Sequence, residues 1–141
     1  AALEDRAGNL GRAIQAYQAA LVYRTPEAAP LDYAASQNNL GAAYRNLSEV
    51  EDRADNLWRA ITAYEAALQH YTPEAAPLAY ARTQANLGIA LKEKGDLTGA
   101  VACWRAAERL FRLMGMTTDA DLILAWIAEV EARLGGGAAP P

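Results

Sequence analysis

Cysteine and histidine occur once each, as Cys103 and His70, so the chain can form neither an internal disulfide nor a Cys/His metal cage. Positive charge is also short: 13 Lys and Arg face 17 Asp and Glu, a net charge of −4. A phosphate-backbone binder needs a basic face, so nucleic acid is not an expected partner. No apolar run approaches the ~18 residues of a membrane span, so a membrane is not expected either. There is no Gly-rich phosphate loop, no His-Glu-x-x-His and no Ser nucleophile elbow, which leaves the chain without a catalytic motif. No enzyme activity, catalytic residue, metal or cofactor is therefore expected. Proline is missing from every apolar-periodic stretch. Four of the six prolines (Pro26, Pro30, Pro73, Pro77) fall in two Thr-Pro-Glu-Ala-Ala-Pro segments, and Pro140 and Pro141 end the chain. What is present is 141 residues, 52% hydrophobic and 21% charged, a composition suited to one globular domain or a short repeat array.

An internal repeat organises the chain. Glu4-Asp5-Arg6-Ala7 returns as Glu51-Asp52-Arg53-Ala54, Thr25 to Leu31 as Thr72 to Leu78, and Asn39-Leu40-Gly41 as Asn86-Leu87-Gly88, always 47 residues on. Residues 4–43 and 51–90 are identical at 28 of 40 positions, which marks a repeat architecture. Leu10, Ala13, Ile14, Tyr17, Ala20 and Leu21 form a stripe that Leu57, Ala60, Ile61, Tyr64, Ala67 and Leu68 repeat, and that spacing is helical. Alanine, the strongest helix former, occurs 34 times. The spacing predicts an all-α fold of about six helices, near 10–24, 31–47, 56–71, 78–94, 97–114 and 119–134, with Asn9 and Asn56 as expected N-caps. Short connectors predict antiparallel helix hairpins stacked into one array, because a single pair cannot bury its apolar stripe alone.

Leu87-Gly88 is followed by Ala100, Trp104 and Ala107, with Gly95 at the turn between. Leu40-Gly41-x2-Tyr44 is likewise followed by Ala60-x3-Tyr64-x2-Ala67 and then Pro73. This pattern resembles the tetratricopeptide repeat (TPR): small residues let two helices approach and an aromatic fills the gap toward the next pair. Gln37 and Gln84 stand where that family usually has a large aromatic, and Leu91 stands where the first unit has Tyr44. The implied organisation is a single TPR-like α-solenoid over residues 1–134. It comprises a partial repeat at 9–24, a repeat at 31–71 with an insertion at Ser48 to Asp55, a repeat at 78–114 and a capping helix at 119–134. A linker or disordered tail at 135–141 would follow. The long repeat with Gln-Asn-Asn-Leu-Gly is similar to extended units of bacterial signalling proteins and kinesin light chains. In the bacterial proteins such arrays often sit beside a caspase-like protease or another effector domain. The Ala1-Ala2-Leu3-Glu4 opening has neither an initiating Met nor a signal pattern, so a piece of a longer protein is expected. The lone Cys and absent signal point to the cytoplasm.

The resemblance implies a protein–protein interaction scaffold whose groove, lined by the first helix of each hairpin, takes a peptide or protein segment. On the first such helix the groove stripe holds Ala35, Asn38, Asn39, Ala42, Arg45 and Asn46; on the next it holds Arg82, Ala85, Asn86, Ile89, Lys92 and Glu93. The candidate peptide-binding residues are Asn38, Asn39, Arg45, Asn46, Arg82, Asn86, Ile89 and Lys92. Amides can donate to and accept from a peptide backbone, and Arg45, Arg82 and Lys92 would favour an acidic segment. The same residues also suit a structural role, with the Asn side chains bonding between helices and the charges solvated. The alternative reading is a spacer or self-association module in which two end faces pair as a homodimer.

Tyr17, Tyr64, Trp104, Leu40 and Leu87 are core by spacing. Cys103 is expected as an inert small residue, since a nucleophile would need a base and His70 lies on another helix. The acidic residues Glu49, Glu51, Asp52 and Asp55 lack calcium-loop spacing and read as a connector. Asn46-Leu47-Ser48 is a formal glycosylation sequon with no signal peptide beside it.

Overall fold

The computed structural model describes residues 2–136. Six helices follow one another: α1 (Ala2–Tyr23), α2 (Pro30–Ser48), α3 (Arg53–Leu68), α4 (Pro77–Lys94), α5 (Leu97–Leu113) and α6 (Thr117–Gly136), with no strand among the described residues. Each helix packs on its neighbours in the chain, and α2 also touches α4. Consecutive helices are antiparallel. Arg6 at the start of α1 bonds Glu49 just beyond α2 at 2.9 Å, and the Tyr33 ring at the start of α2 meets His70 just beyond α3 edge-on. The architecture is the expected all-α array of antiparallel helix hairpins.

The two Thr-Pro-Glu-Ala-Ala-Pro segments fold alike because the same local chemistry acts twice. Thr25 Oγ1 accepts from the Ala28 amide at 3.2 Å and Thr72 Oγ1 from the Ala75 amide at 3.0 Å. Pro30 and Pro77 then open α2 and α4, at positions where a missing N–H costs nothing. Each proline holds the preceding alanine out of the helical region, with φ of −152° at Ala29 and −154° at Ala76. Gly95 and Gly115 terminate α4 and α5 in the left-handed region, φ 102° and 76°. This closes Asp96 N–H on Leu91 O and Met116 N–H on Phe111 O, both at 2.8 Å.

Both asparagine caps are corrected by the structure. Asn9 lies inside α1, which begins seven residues earlier, and its side chain bonds Arg12. Asn56 lies inside α3, 2% exposed, and donates from Nδ2 to Glu51 O at 3.0 Å. It pins the connector from within the helix, while Asp52 takes the cap position in the left-handed region (φ 41°) without a side-chain cap bond. Asp and Asn tolerate that region because their short polar side chains bond locally. The acidic connector expected over 48–55 is four residues long, 49–52, since α2 runs through Ser48 and α3 starts at Arg53. At the far end Gly135 and Gly136 belong to α6, where a linker was expected. The rest of that expected tail, 137–141, lies outside the described residues.

The core runs from end to end in three linked clusters. Ile14 packs with Leu40 and Ala63, Ile61 and Tyr64 with Leu87, and Trp104 and Phe111 with Ile123, Ile127 and Val130. Tyr64 and Trp104 are each 1% exposed, and Leu40 and Leu87 are buried too. Tyr17, expected in the core, is only half-buried. Its counterpart Tyr64 seats on Gly41 of the preceding helix, whereas α1 has no such helix before it in the described chain.

Candidate functional site

The first-of-pair helices α2 and α4 lie side by side, because α3 links them and is antiparallel to both. Two interactions fix their register. Thr83 Oγ1 donates to Asn38 Oδ1 at 3.1 Å. Near the far ends, Arg45 donates to Glu93 Oε1 from Nε at 3.0 Å and from Nη2 at 2.7 Å. Arg53 adds a bond from Nη2 to the Glu93 carbonyl at 3.2 Å. Glu93 Oε2 is buried and receives no hydrogen bond from another described residue.

Three clefts run along this face. The first, about 440 Å³, lies between Asn38 on α2 and Arg82 and Thr83 on α4, with Tyr71 and Leu78 on its walls. The second, about 160 Å³, is bounded by Arg82 and Ala85 of α4, Phe111 of α5, and Asp119, Leu122 and Trp126 of α6. The third, about 330 Å³, holds Arg45, Ile89, Lys92 and Glu93 together with Trp104, Trp126 and Glu129. The clefts share walls: Arg82 lines the first two and Trp126 the last two. They therefore make one interrupted furrow along α2, α4 and α6.

Of the sequence-derived candidates, the structure brings Asn38, Arg45, Arg82, Ile89 and Lys92 into this furrow. Asn39 is exposed and Asn46 and Asn86 are half-buried, and none of the three lines it. The charge differs from expectation. Glu93 neutralises Arg45, while Glu129 stands in the cleft of Lys92 and Asp119 in one cleft of Arg82. The face is of mixed sign: α4 contributes Glu93, and the third helix of the row contributes Asp119 and Glu129. That reading also missed Trp126, whose ring packs 5.5 Å from Trp104. The signal was the position of α6 directly after a second-of-pair helix, which makes it the next lining helix.

A fourth cleft, about 360 Å³, opens between α2 and α3 and is lined by Tyr33, Tyr44, Trp58 and Arg59 among others. The Arg59 guanidinium sits 5.9 Å over the Tyr44 ring, and Trp58 is 60% exposed. Cys103 is half-buried, and burial, with Asp96 and Glu65 nearby, pushes its thiol up to about 11. A nucleophilic cysteine needs the opposite shift. Among the described residues no group of three or more His, Cys, Asp or Glu could hold a metal ion, and no helix is long and apolar enough to cross a membrane. Comparison with protein-family models, with curated proteins and with solved structures returns no match.

Proposed function

We propose that this protein is a non-catalytic TPR-like scaffold that binds an extended peptide or protein segment along the furrow of α2, α4 and α6. The observation that carries the reading is the shared-wall furrow itself: Arg82 and Trp126 each serve two adjacent clefts. Such a row suits a segment several residues long better than one compact ligand. Trp126 offers an apolar anchor of the kind that dominates binding energy. Arg82, Lys92 and Glu129 offer polar partners of both signs. The furrow is built on helices packed through a continuous core, so little ordering is needed on the protein's side. The seating of Tyr64 on Gly41 and of Trp104 on Gly88 supports the TPR-like assignment, because the family's small and aromatic positions meet there. We place the protein in the cytoplasm as part of the same reading, on its lone cysteine.

The test is selection from a displayed random-peptide library, followed by affinity measurement of enriched peptides on wild type, Arg82→Ala, Trp126→Ala and Trp58→Ala. Loss of roughly tenfold or more in affinity is expected for the first two variants. Trp58 is outside the furrow, so its variant should bind like wild type. Equal binding by all four proteins, or no enriched peptide, overturns the reading.

A further inference from the structure

The cleft between α2 and α3 is a second groove, separate from the furrow. Both helices are interior to the array, with α1 packed on α2 and α4 on α3. On α2 the groove takes Tyr33, Leu40 and Tyr44, a stripe turned by about 120° from furrow residues Asn38 and Arg45 at 100° per residue. Its two ends are pinned tyrosines. Tyr33 Oη accepts from Gln37 Nε2 at 3.2 Å, with His70 edge-on to its ring. Tyr44 Oη accepts from Gln18 Nε2 of α1 at 3.1 Å, with the Arg59 guanidinium over its ring. Leu40, Ala63 and Ala66 line the cleft between them. Packing does not account for Trp58, which is 60% exposed. The repeated stripe of α1 has Gly11 in its place, 47 residues earlier. When Ala60, Tyr64 and Ala67 are aligned with Ala100, Trp104 and Ala107, α5 has Thr98 and Gly99 where α3 has Trp58 and Arg59, and α4 has Leu91 for Tyr44. The hairpins fold without this aromatic and cationic end.

Shape, hydrogen bonding and charge together point to one occupant. Tyr33 and Tyr44 lie eleven residues apart on α2, about 16 Å at 1.5 Å per residue. Spread over that length, a cleft of about 360 Å³ has a mean section near 20 Å². That takes a single extended strand and not a helix some 10 Å across. Each tyrosine hydroxyl already accepts a bond, so its O–H is left to donate, and the Trp58 indole and Arg59 guanidinium only donate. Gln37 is engaged with Tyr33, and Thr62 with its own helix. An ordinary extended segment brings N–H groups that such a lining leaves unpaired. Proline has a carbonyl and no N–H, and about five residues of polyproline II at 3.1 Å each span the same 16 Å. Arg59 is the one charged residue lining the cleft, so a carboxylate complements it. We infer that this groove docks a proline-rich segment of a partner protein in the polyproline II form, with an acidic residue of that segment against Arg59. Proline rings then lie on Tyr33, Tyr44 and Trp58, as in other aromatic-lined grooves.

Fluorescence anisotropy of dye-labelled, end-capped peptides, titrated with the full chain to about 1 mM, tests this. The probes are a run of five prolines preceded by glutamate, the same run followed by glutamate, the run preceded by lysine, and five alanines preceded by glutamate. One of the two glutamate–proline peptides should bind saturably, at least about fivefold tighter than the lysine and alanine peptides. Trp58→Ala should weaken it roughly tenfold or more, and Tyr44→Phe, which removes only a hydroxyl, about threefold. Arg59→Glu should reverse the preference toward the lysine peptide. Trp58 and Arg59 are exposed, so their replacement leaves folding intact, with far-UV circular dichroism as the check. Arg82→Ala and Trp126→Ala should bind like wild type, so this site stands or falls apart from the furrow. Library peptides that respond to Trp58→Ala and not to Arg82→Ala belong to this groove, and those with the reverse response to the furrow. The inference is overturned if no proline peptide saturates, or if the alanine peptide binds as well. It also fails if Trp58→Ala leaves affinity unchanged, if Arg59→Glu leaves the charge preference in place, or if Arg82→Ala abolishes binding.

Discussion

Replacing Gly88 by alanine should destabilise the protein, although alanine is the better helix former by about 1 kcal/mol. A Cβ built on Gly88 falls 2.3 Å from Trp104 Nε1 and 2.5 Å from its Cδ1. That ring is 1% exposed, and its indole N–H donates to Ala85 O at 3.1 Å. It cannot turn aside without overpacking the α4–α5–α6 cluster, at about 1–3 kcal/mol, and stretching a buried hydrogen bond worth about 1 kcal/mol. After the propensity gain, the net loss is about 1–3 kcal/mol. At roughly 3 °C per kcal/mol for a chain of this size, Tm should fall by about 3–10 °C. Gly11 is the control: it also lies within a helix, but nothing lies within 4 Å of its Cβ position. Gly11→Ala should therefore raise stability by about 0.5–1 kcal/mol. Thermal and urea unfolding followed by far-UV circular dichroism measure both. A Gly88→Ala protein as stable as wild type, or two variants shifting in the same direction, would refute the close-packing argument.

A double-mutant cycle on Arg45 and Glu93 should give a coupling of about 1 kcal/mol in urea unfolding, above that of a surface pair, because the side chains are only 28% and 22% exposed. Arg45→Ala alone should cost more than the double variant, since it leaves the buried Glu93 carboxylate without its partner; zero coupling would show that the α2–α4 register does not depend on this pair. Burial holds the Cys103 thiol at about 11 and the Tyr64 hydroxyl at about 12, both above their ordinary values. The stability these groups contribute is thus complete below pH 9 and is lost as pH rises through 9–11 for Cys103 and 10–12 for Tyr64. Urea midpoints should decline over that window and decline less in Cys103→Ala/Tyr64→Phe; a midpoint independent of pH from 8 to 11 would contradict the shifts. At pH 8 Cys103 should react with a disulfide reagent roughly two orders of magnitude more slowly in the folded protein than in the urea-unfolded one.

The helices were legible because their signals are local. Proline at the starts of α2 and α4, glycine after α4 and α5, and apolar stripes at three- and four-residue steps act within a turn or two of the chain. The helix starts expected at residues 10 and 56 failed for the opposite reason. Asparagine caps well in general, but Asn56 is buried and holds the connector, a role set by how α3 packs rather than by its neighbours in sequence. The candidate site was legible in half. Asn38, Arg45, Arg82, Ile89 and Lys92 follow from the register of two repeated helices, while Trp126, Glu129 and Asp119 come from a sixth helix outside the 47-residue repeat.

By itself the sequence determined the number and kind of helices, their antiparallel order and the identity of the residues that fill the gaps between them, since periodicity and punctuation are properties of consecutive residues. Tertiary structure decided the rest. The identical stripes of α1 and α3 differ only in what covers them: Tyr64 is sealed against the helix before it, and Tyr17 is half-open because no helix precedes α1 among the described residues. The sign of the furrow was decided in the same way. Arg45 reads as a free cation in sequence and becomes half of a half-buried ion pair once α4 brings Glu93 within 2.7 Å. Burial and charge pairing depend on residues about 45 positions apart in the chain, and only packing brings those together.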